Sequence, residues 1–114
     1  SPVSKLLNLI VLEALEGECK QVHITTAAEA VRFRRDETWF EYMRLPAPIV
    51  SQRLINRIRV LATLDRIKGN VRQEGGIDAT WRGAKLDLRA AVQFTTEGHE
   101  EMFLNLAQRD VESA

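Results

Sequence analysis

Residues Lys85–Phe94 read KLDLRAAVQF, and this stretch decides the fold class of the chain. Apolar and polar side chains alternate along it, so an extended segment would place the apolar set on one face and Arg89 on the other. A period of two predicts a strand with one buried and one solvated face, which is typical of antiparallel sheets. The Arg82-Gly83-Ala84 sequence before it predicts a tight turn that joins it to a partner strand over Ile77–Trp81.

Further strands are predicted on both sides of this hairpin. The same alternation predicts strands at Gln21–Thr25, Val31–Arg34 and Met102–Leu106. In Thr38–Leu45 the aromatic residues favour an extended segment with both faces partly covered. No basic residue is interleaved among these aromatics, which predicts a core position rather than a base-stacking surface for them: Trp39, Phe40 and Tyr42.

Two segments have the helical period instead. Ser1 can cap free amides and Pro2 lacks the amide that would go unpaired, so a helix is predicted from here to Gly17. Apolar residues return at three- and four-residue steps from Ile49 to about Leu64, which predicts a second helix. Arg66–Gly76 has three glycines and no apolar period, and it is predicted to be a mobile surface loop.

The predicted order of elements is therefore α-β-β-β-α-β-β-β. Helices segregated onto one face of an antiparallel sheet make an α+β two-layer sandwich. No internal repeat or linker divides the chain, so residues 1–114 are predicted to form a single domain.

Composition excludes several classes of protein. With 114 residues, of which 45% are hydrophobic and 28% charged, the chain has the composition of one packed globular domain. The 16 basic and 16 acidic residues balance, which argues against nonspecific binding to nucleic acid or membranes. The longest apolar stretch, Leu9–Leu12, is far shorter than the roughly 20 residues of a membrane span. A single cysteine, Cys19, fits a reducing compartment, so a cytoplasmic location is expected.

Motifs that would carry catalysis are absent from the sequence. No glycine-rich segment ends in Gly-Lys-Ser or Gly-Lys-Thr, as a phosphate-binding loop requires. Neither His23 nor His99 lies near a serine-elbow sequence, and His99-Glu100-Glu101 lacks metal-ligand spacing. His23 is interpreted as a packed or hydrogen-bonded residue rather than a ligand. The isolated chain is therefore expected to be no enzyme and to bind no cofactor or metal.

Charge is nevertheless unevenly distributed. Arg53–Arg72 contains six basic residues and one acidic residue, whereas Glu97–Glu112 contains five acidic residues and one basic residue. These segments could pair within one molecule or between neighbouring copies. No motif that reads nucleic acid surrounds the basic helix, so nucleic-acid binding through it is not expected.

The sequence resembles the opening module of the ATPases of type II secretion and type IV pilus assembly. The resemblance covers essentially the whole chain, and its ordered pieces are Pro2-Val3, Lys5 to Ile10, Glu13-Ala14-Leu15, Val22-His23-Ile24, Val31-Arg32-Phe33-Arg34 with Asp36, Leu45-Pro46, Arg57-Ile58-Arg59-Val60 with Ala62 and Leu64-Asp65, Gln73-Glu74-Gly75, Leu86-Asp87-Leu88-Arg89 and Gly98-His99.

The resemblance implies a PAS-like α+β module, joined by a linker to a RecA-like ATPase domain in a cytoplasmic hexamer. The parent protein would use ATP and Mg²⁺ and would join secretion or pilus machinery at the inner face of the cytoplasmic membrane. It further implies that Arg89 reaches the phosphates of nucleotide held by the ATPase domain, a contact for which a guanidinium offers paired donors. Arg32, Arg34 and Arg57 are candidate interdomain contacts.

The chain departs from the family pattern at several positions. Asn105 stands where the family has a second phosphate-contacting arginine, Thr25-Thr26 replaces Glu-Pro, and Ala90-Ala91 replaces Val-Ser. An alternative function therefore stays open: a divergent stand-alone interaction or regulatory domain with the same fold and no nucleotide contact.

Overall fold

A computed structural model describes residues 1–65 and 71–108, the side chain of Gln108 excepted. The described residues form two helices and six strands in the predicted order. Their bounds are α1 Pro2–Glu16, β1 Gln21–Thr25, β2 Ala30–Arg35, β3 Thr38–Arg44, α2 Pro48–Leu61, β4 Gln73–Trp81, β5 Ala84–Phe94 and β6 Glu100–Gln108. The predicted α+β sandwich is confirmed.

All six strands belong to one sheet of order β3-β2-β1-β6-β5-β4, and every neighbouring pair is antiparallel. The last strand, β6, lies between β1 and β5 in the middle of the sheet. Its pairing with β1 places Gln21 opposite Asn105 and His23 opposite Phe103. Residues distant in sequence therefore become neighbours at the centre of the sheet.

Helix α1 begins and ends as its sequence predicts. The Ser1 side chain accepts a hydrogen bond from the Ser4 amide, and Pro2 occupies the first turn, where it leaves no amide unpaired. The Gly17 amide donates to the carbonyl of Glu13 and closes the last turn. One face of the helix, with Leu7, is buried against the sheet.

Helix α2 is shorter than predicted at its C-terminal end. It begins at Pro48 and ends at Leu61, three residues before the predicted limit. Thr63 has a φ of 58°, a left-handed conformation that a continuing helix does not allow. Leu64 nevertheless packs against the core. This contact explains why the apolar period in the sequence continues past the end of the helix.

The core lies between the two helices and one face of the sheet, which we call the inner face. Alternate residues of β1, β2, β5 and β6 point into it, with the buried face of each helix above them. Its fully buried side chains include Ile10, Ile24, Leu54, Ile55, Ile58, Met102 and Leu104.

The prediction of a loop at Arg66–Gly76 was wrong for its last four residues, while residues 66–70 lie outside the described part. Residues 73–76 begin the nine-residue strand β4, which pairs with β5 along its whole length. Glycine is required there because a Cβ at Gly75 would lie 2.6 Å from the carbonyl oxygen of Ala62. The glycines that hid the strand pattern thus let β4 pass close to the end of α2.

Arg59 belongs to the basic segment of α2, yet it is only 4% exposed. Its guanidinium forms an ion pair with Glu100 at the start of β6 and lies over the ring of Phe94, 5.9 Å from its centroid. Gln52 also donates to Glu100, at 2.7 Å. One arginine of the basic helix is therefore buried in an ion pair within the fold.

Candidate functional site

The face of the sheet opposite the helices, which we call the outer face, carries three of the four arginines singled out by the sequence: Arg32, Arg34 and Arg89. Helices α1 and α2 both pack on the inner face. Strand pairings align one row across the outer face: Gly76, Arg89, Asn105, Gln21, Arg34 and Trp39. A second row runs beside it: Glu74, Ala91, Phe103, His23, Arg32 and Glu41.

Arg89 projects from β5 between Gly76 of β4 and Asn105 of β6, and it is exposed. A Cβ at Gly76 would lie 3.3 Å from Nη1 of Arg89, so the guanidinium leans across the space that this glycine leaves. Among residues 1–65 and 71–108, Arg89 has no hydrogen-bond partner and no carboxylate at ion-pair distance. Within this described part of the chain, its donors are therefore available to an anion.

Arg34 differs from Arg89 in that its donors are already used. Its Nε donates to Oε1 of Gln21 at 2.8 Å, and Nη1 donates to the carbonyl of Asp36. Nε2 of Gln21 in turn donates to Oδ1 of Asn105. These hydrogen bonds connect Arg34, Gln21 and Asn105. The middle of the row is thus filled by two neutral amides, which the half-buried guanidinium of Arg34 holds in place.

Arg32, one row away on β2, is exposed and faces His23 in the register with β1. The fourth candidate, Arg57, is exposed on α2 and so lies in the helical layer. The structure therefore brings Arg89, Arg32 and Arg34 to one face and leaves Arg57 on the other layer. One flat partner surface therefore cannot contact all four arginines at once.

Three rings, His23, Trp39 and Phe103, form a cluster at the centre of the outer face. The rings of His23 and Phe103 lie 4.7 Å apart at 37°, and Trp39 meets them at steep angles of 73° and 67°, with centroid distances of 6.0 and 6.2 Å. We call these residues the aromatic cluster. They give this face a continuous apolar centre.

His23 is buried and packed, as its sequence context predicts. Its Nε2 lies 3.3 Å from Oε2 of Glu101, whose other oxygen accepts a hydrogen bond from Gln93 at 3.1 Å. Burial lowers the pKa of His23 below 6.5, and Arg32 adds to this, whereas the hydrogen bond and charge of Glu101 act in the opposite direction. The folded environment therefore favours the neutral imidazole.

The prediction of a core position was wrong for Trp39 and right for Phe40 and Tyr42. Phe40 and Tyr42 pack on Phe33 in the core, with centroid distances of 6.0 and 4.4 Å. Trp39 alternates onto the outer face and is 36% exposed. Both faces of β3 are aromatic, so the sequence pattern alone could not tell which ring pointed outward.

Sequence reasoning also missed Gly76 and Gln21 as parts of the site. Gly76 was assigned to a loop, and Gln21 is defined only by its pairing with Asn105, 84 residues away. No local signal reveals such a partner. The alternation of β1 and β6 could have placed Gln21 and Asn105 on the outer face. It could not have shown that the two residues lie beside each other.

The chemistry open to this face is binding. A free guanidinium suits an anion, and exposed aromatic surface suits a flat or apolar partner. Within the described residues, His, Cys, Asp and Glu form no group of three that could hold a metal ion. Neither described helix has the length and apolarity needed to cross a bilayer.

The fold and this face define an α+β module that offers arginines and aromatic rings on an open sheet. The chain belongs to the family of type II/IV secretion system proteins, whose family model matches residues 1–112. The resemblance drawn from the sequence pieces is thereby confirmed.

Individual relatives are named for both kinds of system. The Type IV pilus assembly ATPase PilB of Myxococcus xanthus is 31% identical over 103 residues, which are 88% of this chain and 18% of that protein. The Type II secretion system ATPase E of Vibrio cholerae is 29% identical over 112 residues, or 96% and 22%. The Type II secretion system protein E of Xanthomonas campestris is 30% identical over 112 residues, or 96% and 19%. The chain spans about a fifth of the length of these relatives.

Proposed function

We propose that residues 1–114 are a non-catalytic module of a type II secretion or type IV pilus assembly ATPase, and that Arg89 contacts the phosphates of nucleotide held by a RecA-like ATPase domain. The observation that carries this proposal is the free guanidinium of Arg89 on an open sheet face. Two relatives of this chain are named ATPases. A charged group with unused donors on an uncovered face suits a ligand brought by another domain.

The ATPase domain that docks on the outer face would belong to the same chain or to its neighbour in a hexamer. Arg32, exposed beside the aromatic cluster, is the interdomain contact that fits this arrangement best. Arg57 would meet a second surface from the helical side. The parent protein would bind ATP and Mg²⁺ and act in the cytoplasm, at the inner face of the cytoplasmic membrane, through secretion or pilus proteins.

A second candidate function is a stand-alone interaction or regulatory domain that contacts no nucleotide. The observation that favours it is Asn105, a neutral residue whose Oδ1 is occupied by Gln21. In the row that contains Asn105, Arg89 is then the one guanidinium without a partner among the described residues. A single arginine contact with phosphate is weaker than a paired clamp, and the outer face could serve a protein partner alone.

The two functions can be distinguished first by the sequence of the parent gene and then by substitution of Arg89. We expect the full-length sequence to contain a glycine-rich loop that ends in Gly-Lys-Ser or Gly-Lys-Thr. In that protein Arg89→Ala should lower kcat/KM for ATP about tenfold or more, since a hydrogen bond to a charged group contributes about 1.5–3 kcal/mol.

The matched control is Arg53→Ala, which removes an exposed arginine from the helical layer. Arg89→Lys should recover part of the activity, because it keeps the charge and loses the paired donors. Thermal unfolding should be unchanged by Arg89→Ala, since the side chain is exposed. Equal ATP turnover in the Arg89→Ala and Arg53→Ala proteins would refute the phosphate contact.

A further inference from the structure

The aromatic cluster and Arg89 are neighbours on one surface. Arg89 is paired with Asn105, and the next outer-face residue of β6 is Phe103. Diagonal neighbours of this kind lie about 7–8 Å apart in a sheet. The ring of Trp39 lies 6.2 Å beyond that of Phe103. A continuous path therefore leads from a free guanidinium to aromatic surface.

The fold does not explain the position of Trp39. Phe40 and Tyr42 already fill the core side of β3, and His23 and Phe103 pack against each other at a tilt of 37° without it. Trp39 belongs to the edge strand β3, and its ring stands steeply on that pair and remains 36% exposed. Tryptophan buries a large area when it is covered, so an exposed one on an uncovered sheet face indicates a surface that a ligand completes.

A free guanidinium and an exposed aromatic ring on one sheet face match the two ends of a nucleotide. The phosphates need charged donors, whereas the base needs a flat ring on which to stack. The neutral amides of Asn105 and Gln21 lie between the two ends, and they can tolerate the polar sugar without a charge. A purely apolar partner would leave the guanidinium unpaired, and a phosphate alone would leave the ring exposed.

We propose that the outer face holds both ends of the nucleotide, with the base stacked on Trp39 of the aromatic cluster while the phosphates meet Arg89. This inference rests on the proposed function, because a second domain must hold the nucleotide against this face. It adds Trp39 as a residue that binds the base and Phe103 as the ring that supports it.

The test uses the full-length protein and two probes, ATP and inorganic tripolyphosphate, which lacks a base. We expect Trp39→Leu to raise KM for ATP about tenfold and to leave the inhibition constant of tripolyphosphate unchanged. Trp39→Phe keeps a ring and should recover much of the affinity. Arg89→Ala should weaken both probes. Trp81→Phe, which alters the other tryptophan of the chain on β4, is the matched control.

The outcomes separate the inference from the function beneath it. If Trp39→Leu leaves KM for ATP unchanged while Arg89→Ala weakens tripolyphosphate, base stacking is wrong and the phosphate contact stands. If Trp39→Leu weakens ATP and tripolyphosphate equally, or lowers kcat alone, Trp39 serves domain docking and the inference is again wrong. If Arg89→Ala affects neither probe, the proposed function fails, and the inference fails with it.

Discussion

Arg59 shows how one side chain can change its role between sequence and structure. It lies in a basic helix beside Arg57, yet its side chain is 4% exposed while that of its ion-pair partner Glu100 is 16% exposed. The pair joins the last turn of α2 to the beginning of β6. Its Nε is buried and has no hydrogen-bond partner among the described residues, so the ion pair with Glu100 has to offset the desolvation of the guanidinium.

Arg59→Ala should therefore lower the free energy of unfolding by about 3–5 kcal/mol, because it leaves the carboxylate of Glu100 without its buried countercharge. Urea denaturation of the 114-residue chain measures this change. Arg57→Ala is the control, since Arg57 is exposed on the same helix and should change stability by about 0.5 kcal/mol at most. Similar losses in the two variants would contradict a structural role for Arg59.

His23 predicts a pH dependence at the same scale. Its pKa is lowered in the folded state, chiefly by burial, so the unfolded chain takes up a proton first as pH falls. The contribution to stability is complete above pH 6.5 and is lost as pH falls toward the folded pKa. Denaturation of wild-type and His23→Gln chains between pH 8 and pH 5 should therefore give a smaller loss in the variant.

The control for this experiment is His99→Gln, which removes the other histidine, at the turn before β6. It should leave the wild-type loss of stability intact. Identical pH profiles for wild-type and His23→Gln chains would show that burial of this imidazole carries no proton linkage.

At the scale of elements, β4 depends on two adjacent glycines that do different things. Gly75 faces inward, where Ala62 and Leu64 leave no room for a side chain. Gly76 faces outward, where the movable end of Arg89 is the nearest group at 3.3 Å and the backbone oxygen of Leu88 lies at an ordinary contact distance of 3.8 Å. A strand with glycine at this position can approach the end of a helix, at the cost of a weak sequence signal.

Gly75→Ala should lower the free energy of unfolding by about 1–3 kcal/mol, since its Cβ would meet a backbone oxygen that cannot move alone. Gly76→Ala should change stability by about 0.5 kcal/mol at most, because the Arg89 side chain can shift. Thermal and urea denaturation of the two variants give the comparison. Equal effects would mean that β4 is not held against α2.

The same strands show how far sequence patterns reach. Alternation predicted β5 correctly, including the outward position of Arg89, because one face is apolar and the other polar. It failed at Trp39, because both faces of β3 carry aromatic residues. It also failed at Gly75 and Gly76, because glycine has no side chain that could show the pattern. The partners of Gln21 and Arg59 could not be predicted, since each depends on a residue brought near by the fold.

For the whole molecule, the sheet order is the decisive property. β6 joins the unit β3-β2-β1 to the hairpin β4-β5, and both pairings of β6 are long and regular. Helix α2 also depends on β6 through Arg59 and Glu100. The two parts of the sheet are hydrogen-bonded to each other only through this strand.

A chain that ends at residue 99 should therefore lose cooperative unfolding altogether. Removal of β6 exposes the central edges of β1 and β5 and takes Met102 and Leu104 out of the core. Circular dichroism during heating measures the loss as a broad, shallow transition. A sharp transition in the shortened chain would show that the sheet closes without its central strand.

The pairing of β1 with β6 also sets an order of events during synthesis. A ribosome makes β1 some 84 residues before Asn105, the partner of Gln21, so the early strand must wait with one edge unmatched while the rest is translated. Nascent chains of this module are thus exposed to chaperones and to wrong strand partners until β6 has been made. Closure of the sheet is a late step that waits for β6 rather than a gradual one.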